Sequence, residues 1–135
     1  MNSSASRTTL LVVDDDEDIR LAMYDTLEAE GYQVLLAEDG EDALRTLRAA
    51  AAPPSLILLD LMMPNLDGPG FCAAQQQDPA LARIPVVIIS ADCQIQRKAA
   101  ALGVAGCLTK PVRVAELLAT IERWSRAPDN PPPTP

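Results

Sequence analysis

Short apolar runs alternate along this chain with stretches whose apolar residues recur every three or four positions. The runs are Leu10–Val13, Val34–Ala37, Leu56–Leu59, Val86–Ile89 and Cys107–Thr109. Runs this short and this uniformly apolar suit strands buried on both faces. The stretches between them read as amphipathic helices. Ile19, Met23 and Leu27 share one face with Ala22 beside them, and Gly31 stops that helix. A second helix starts near Glu41, groups Ala43, Leu44, Leu47 and Ala51, and is closed by Pro53-Pro54. Met62 to Gly68 reads as a loop from its Pro, Asn and Asp-Gly signals, and a helix follows over Pro69–Gln77, with Gly70 weakening its first turn. A further helix over Gln94–Leu102 turns Ile95, Ala99 and Leu102 inward and ends at Gly103. The last helix carries Val114, Leu117, Leu118 and Ile121, with Trp124 as a further candidate.

Five repeats of strand then helix predict an α/β fold built on a parallel sheet. Right-handed crossovers leave few topologies. A doubly wound five-stranded parallel sheet in the order 2-1-3-4-5, flavodoxin-like (βα)5, fits and puts a site where strands 1 and 3 are neighbours. Residues 1–8 read as a flexible arm, 9–126 as one domain, and 127–135, with five prolines, as an extended disordered tail.

Composition narrows the chemistry. The chain has 135 residues, enough for one core, and a net charge of −8, which argues against non-specific nucleic-acid binding. It contains no histidine and three cysteines, Cys72, Cys93 and Cys107, with no CxxC pair. That disfavours a zinc site and excludes Ser-His-Asp and Cys-His mechanisms. The cysteines suit a reducing cytoplasm. The first nine residues do not form a signal peptide, and no apolar run approaches membrane-spanning length.

Three of the apolar runs end in charge: Asp14-Asp15-Asp16 after the first, Asp60 after the third, Lys110-Pro111 after the fifth. In a parallel sheet these tips meet at one edge. Carboxylates crowd only at a cost, and a hard cation is the simplest reason for it. A set of carboxylates without His or Cys suits Mg²⁺ or Mn²⁺. Each residue also has a plainer reading. Asp14 to Asp18 resemble an acidic helix start, Asp60 and Ser90 could be helix caps, and Lys110 a surface lysine. An EF-hand fails, because Ile19 stands where that loop needs Gly. Together, a carboxylate nucleophile, a divalent cation, a hydroxyl and a lysine describe a phosphoryl-transfer site.

Val12-Val13-Asp14-Asp15, Leu59-Asp60-Leu61-Met62-Met63-Pro64, Asp67-Gly68, Ser90-Ala91 and Lys110-Pro111 together resemble the receiver domain of two-component response regulators. The resemblance implies that Asp60 accepts a phosphoryl group from a histidine kinase or histidine phosphotransfer protein, in a phosphorelay that switches binding of a downstream protein. It implies that Asp15 ligates Mg²⁺ directly, Asp14 through water, and Met62 through its backbone carbonyl. Ser90 would be the switch hydroxyl and Lys110 the lysine that pairs with the phosphoryl group. Two departures stand out: Cys107 and Val112 occupy positions where the family usually carries aromatics, and the segment from Ser90 to Lys110 is slightly short. A stand-alone cytoplasmic receiver is the expectation, with no membrane or nucleic-acid partner. The alternatives are a fragment of a larger regulator, a degenerate receiver used for docking, and a small aspartyl-phosphate hydrolase. A hydrolase would need a second Asp where Met62 stands.

Overall fold

The computed structural model describes residues 8–60, 68–90 and 105–125. Five strands, β1 (Thr9–Val13), β2 (Gln33–Ala37), β3 (Leu56–Asp60), β4 (Val86–Ser90) and β5 (Gly106–Thr109), form one sheet in the order β2-β1-β3-β4-β5. Every neighbouring pair is parallel. The helices are α1 (Glu17–Ala29), α2 (Gly40–Ala49), α3 (Gly68–Gln77), the short α4 (Pro79–Ala82) and α5 (Val114–Ser125). The expected topology is the observed one. The expected helix at Gln94–Leu102, the N-terminal arm up to Arg7 and the tail from Arg126 lie outside the described residues.

Strand periodicity sorts the core into two layers. Leu11, Val13, Ile57, Leu59, Val86 and Ile88 pack on one face with Ala43, Leu44 and Leu47 of α2 and Phe71 and Cys72 of α3. Leu10, Val12, Leu56, Leu58, Val87 and Ile89 pack on the other with Leu27 of α1 and Leu117 and Ile121 of α5. Successive residues of a strand point to opposite faces, so an uninterrupted apolar run feeds both layers. The central strands β3 and β4 are buried at every position, including their polar last residues Asp60 and Ser90.

Helix ends follow local chemistry. Asp16 caps α1, its carboxylate accepting from the N–H groups of Asp18 and Ile19 at 2.9 and 3.2 Å. Asp39 caps α2 by accepting from Asp42 N–H, while the Asp42 carboxylate accepts from Glu38 N–H. Gly31 lies at φ +97°, and its N–H and that of Tyr32 close the last turn of α1 onto Glu28 and Leu27. The second helix stops at Ala49, with Ala50 already extended at ψ 140°. Ala51 is therefore not on its face, as its spacing had suggested. The short α4 was not anticipated; Asp78 caps it and Pro79 opens it. The buried Gln75 of α3 donates from Nε2 to the carbonyls of Leu81 (2.7 Å) and Ile84 (2.9 Å), tying α3 to the approach of β4.

Phe71, the lone phenylalanine, is 0% exposed between α3 and the sheet. Truncation there removes transfer free energy and leaves a cavity. Phe71→Ala is expected to lower unfolding stability by about 3–5 kcal/mol, measured by chemical denaturation. A loss under about 1 kcal/mol would contradict the packing described.

Candidate functional site

Strand register decides what meets at the carboxyl edge. Val13 pairs with Leu59, so Asp14 and Asp60 come next on adjacent strands. Ser90 pairs with Thr109, so Lys110 follows directly beyond it, and its N–H donates to the Ser90 carbonyl at 2.7 Å. The Lys110–Pro111 peptide is cis. Asp14 continues the β1–β2 ladder, its N–H donating to Ala37 O at 3.1 Å. Its carboxylate accepts from Asp16 N–H at 2.9 Å, and its carbonyl from Arg20 Nη1 at 2.7 Å.

Burial singles out this edge. Among the described residues the buried polar side chains are Asp14, Asp39, Asp60, Gln75 and Ser90, and all but Gln75 follow or end a strand there. Asp14, Asp15 and Asp60 each bring a carboxylate oxygen within 4.8 Å of the others. Lys110 Nζ lies 3.9 Å from both Asp14 Oδ2 and Asp60 Oδ1. Those distances are ion pairs but too long for direct hydrogen bonds. Two carboxylate charges within 4.8 Å of each other repel by at least about 3 kcal/mol at an effective dielectric of about 20. The repulsion is weaker where Asp15 faces water. One lysine against three carboxylates leaves the cluster net negative.

The donor set fits a hard divalent cation. Opposite ligands of octahedral Mg²⁺ are about 4.2 Å apart, with each oxygen at about 2.1 Å. Oxygens within 4.8 Å need only a small closure, or a bridging water on one arm. Asp14, Asp15 and Asp60 are thus brought together as their sequence positions suggested, and Lys110 joins them. Ser90 is buried at the end of the neighbouring strand. Met62 lies outside the described residues. The guanidinium of Arg20 and the clamp made by Gln75 were not foreseen. A polar side chain bonding a distant carbonyl leaves no periodic mark in a sequence.

A cavity of about 600 Å³ opens between α1 and α5 and reaches Asp14 and Lys110. Ile19, Met23, Ile89, Val112 and Leu117 line it. Cys107, on β5, is partly buried against the α2–α3 side of the core. Burial pushes the Cys72 thiol up to about 11, so it stays protonated and acts as a small apolar side chain.

A parallel sheet ordered 2-1-3-4-5, with acidic strand tips and a lysine reaching the switch point, is the arrangement of a doubly wound α/β domain with a cation-suited edge. Comparison with known proteins gives the class its name: the response regulator receiver domain profile matches residues 10–122, and the chain belongs to that family. It is 38% identical over 125 residues to the DNA-binding dual master transcriptional regulator RpaA of Synechocystis sp., covering 91% of this chain and 51% of that protein. Among solved structures it resembles the Vibrio cholerae chemotaxis protein CheY4, with a TM-score of 0.80 and 29% identity over 87% of this chain and 98% of that one. It also resembles the receiver domain of a Pseudomonas aeruginosa sensor histidine kinase, which holds a magnesium ion in its active-site cleft. That match has a TM-score of 0.80 and 27% identity over 89% of this chain and 98% of the other. The chain spans about half the length of the curated relatives it matches. Because one of those relatives is named as DNA-binding, the charge argument against nucleic acid applies to the present 135 residues alone.

Burial, above all, raises the Asp14 carboxyl above the usual aspartate range; the Asp16 N–H and Lys110 act against the rise, and Asp15 and Asp16 add to it. A carboxyl whose pKa is higher folded than unfolded stabilises the fold below the unfolded value of 3.8, and that contribution is lost as pH rises through the folded value. Ionising Asp14 therefore works against the fold, an effect a bound cation would offset. Asp14→Asn is expected to melt above the wild type in chelator at pH 7. It should gain less than the wild type on adding Mg²⁺. A lower melting temperature for the variant in chelator would contradict this account.

Proposed function

We propose that the chain is a Mg²⁺-dependent phosphoacceptor whose Asp60 takes a phosphoryl group from a histidine kinase or histidine phosphotransfer protein. The observation that carries this reading is the meeting of the Asp14, Asp15 and Asp60 carboxylates with Lys110 at one sheet edge. An Asp60 oxygen would attack phosphorus as the bond from phosphorus to the donor imidazole nitrogen breaks, and the imidazole keeps that electron pair. An ionised carboxylate needs no general base, which suits a site without histidine. Bound Mg²⁺ would supply positive charge to the phosphoryl oxygens. Asp15 and Asp60 would hold it directly, with Asp14 acting through water and the Met62 carbonyl as a further ligand.

Lys110 would exchange its long contacts to Asp14 and Asp60 for the incoming phosphoryl oxygens. Ser90, on the strand beside β3, would offer its hydroxyl to the same group. The product is an acyl phosphate, labile enough to serve as a signal. Met62 stands where a hydrolase would place its second Asp, so acceptance is stoichiometric rather than a turnover reaction. Such a domain works in the cytoplasm, and its free cysteines suit that compartment. A second reading, that the chain is the receiver portion of a longer transcriptional regulator, is favoured by the half-length coverage of its relatives.

Incubation with Mg²⁺ and acetyl phosphate tests the proposal. One phosphoryl group per chain is expected by intact mass, with Asp60→Asn unlabelled. Continuous phosphate release would indicate a hydrolase, and no reaction a docking module; either overturns the proposal. Asp15→Ala is expected to weaken Mg²⁺ binding by at least about tenfold in calorimetric titration. An unchanged titration would remove Asp15 from the ligand set.

A further inference from the structure

We propose that Arg20 is a positioning residue for the cation site, holding in place the turn that presents Asp14 and Asp15. This rests on the reading of that cluster as a Mg²⁺ site. Between the end of β1 at Val13 and the start of α1 at Glu17, the chain must reverse while aiming two carboxylates at one point. Arg20 lies in the first turns of α1, yet its side chain folds back over the helix start. Its Nη1 donates to the Asp14 carbonyl at 2.7 Å in a partly buried setting. Bonds from charged donors are short and strong, and a planar guanidinium gives them direction. The Arg20 main-chain N–H also donates to Asp16 O at 3.0 Å. That bond is the first of the helix ladder and would form with any residue here, so what Arg20 itself adds to the turn is the guanidinium bond to Asp14.

The choice of partner matters. Asp15, Asp16, Glu17 and Asp18 surround Arg20 in sequence, and a surface guanidinium would ordinarily pair with one of them. Among the described residues the ion pairs within 4.0 Å are made by Arg45 and Lys110 instead. Arg20 is committed to a carbonyl, where its value is geometric. With Asp14 N–H fixed to Ala37 O and its carboxylate to Asp16 N–H, the Arg20 bond ties Asp14 at a third point.

Charge and geometry make opposite predictions. A cation beside a cation site repels the metal, so if charge alone mattered, removing it would tighten Mg²⁺ binding. If Arg20 positions the ligands, removing it weakens binding, as loss of a partner outside the ligand set commonly does by about tenfold or more. The test is calorimetric Mg²⁺ titration of the full chain carrying Arg20→Met or Arg20→Lys. Arg20→Met keeps the apolar stem and loses both charge and donors; about tenfold weaker binding is expected. Arg20→Lys keeps one charged donor and should recover part of that loss. In the metal-free protein, Arg20→Met should also speed hydrogen exchange at the Asp16 amide, which bonds the Asp14 carboxylate.

Ile121→Val, in the core between α5 and the sheet, serves as the stability control and should leave Mg²⁺ affinity unchanged. Tighter or unchanged binding by Arg20→Met overturns the proposal. So does an equal loss of affinity in Ile121→Val, which would make the effect one of general stability. Failure of the wild type itself to bind Mg²⁺ would instead overturn the underlying reading of the cluster.

Discussion

Parallel in-register pairing of β1 with β3 is the constraint on which the rest of the site depends. The Val13 to Leu59 pairing places two aspartates side by side at the point where the sheet order changes direction. Both strands are buried up to that point, so the two carboxylates emerge from an apolar wall rather than from solvent. Burial makes their charge costly and their interactions strong at once. A slip of a single residue would turn every side chain of one strand to the opposite face and exchange the two core layers. Both layers are apolar, so close packing rather than polarity holds the register: a slipped strand would put side chains of the wrong shape into each layer and carry its aspartate out of line.

Much of this was legible in the sequence, because apolar runs and the charges that end them are local features. The topology, both core faces and the meeting of Asp14, Asp15, Asp60 and Lys110 followed from five runs and their polar tips. Boundaries were less legible. The backbone ladder of β3 and β4 includes Asp60 and Ser90, since pairing uses main-chain groups and ignores side-chain polarity. The second helix was read too long because residues 49–52 are all alanine, a sequence that favours helix without enforcing it. The turn of α4 was hidden in Asp78-Pro79, a cap and first-turn pair too short to show periodicity. Arg20 and Gln75 were invisible for another reason: each bonds a carbonyl chosen by the folded chain.

The site is kept poised by leaving its charges incompletely matched. In other proteins, replacing buried ion pairs by well-packed apolar residues is often neutral or stabilising. Here burial raises the pKa of Asp14, so ionising it is unfavourable for the fold unless a cation is bound. In the proposed Mg²⁺ site, a bound cation would offset that cost, since a ligand that binds only the folded state stabilises it.

Among the described residues, Arg20 and Lys110 lie near the cluster and are held in contrasting ways. Arg20 makes a 2.7 Å bond to a main-chain carbonyl and is part of the scaffold of the turn. Lys110 sits 3.9 Å from two carboxylates, with a side chain 31% exposed. Its backbone, by contrast, is fixed by a 2.7 Å bond to the Ser90 carbonyl. An ammonium on a flexible stem above a fixed backbone can follow charge as it appears, at little reorganisation cost. A guanidinium locked to the turn cannot. On the proposed reading, Arg20 would shape the turn while Lys110 would be the cation that answers an incoming anion. Because Lys110 and Ser90 share a backbone bond at the tips of β4 and β5, a pull on the ammonium acts on the same strand end as a pull on the Ser90 hydroxyl.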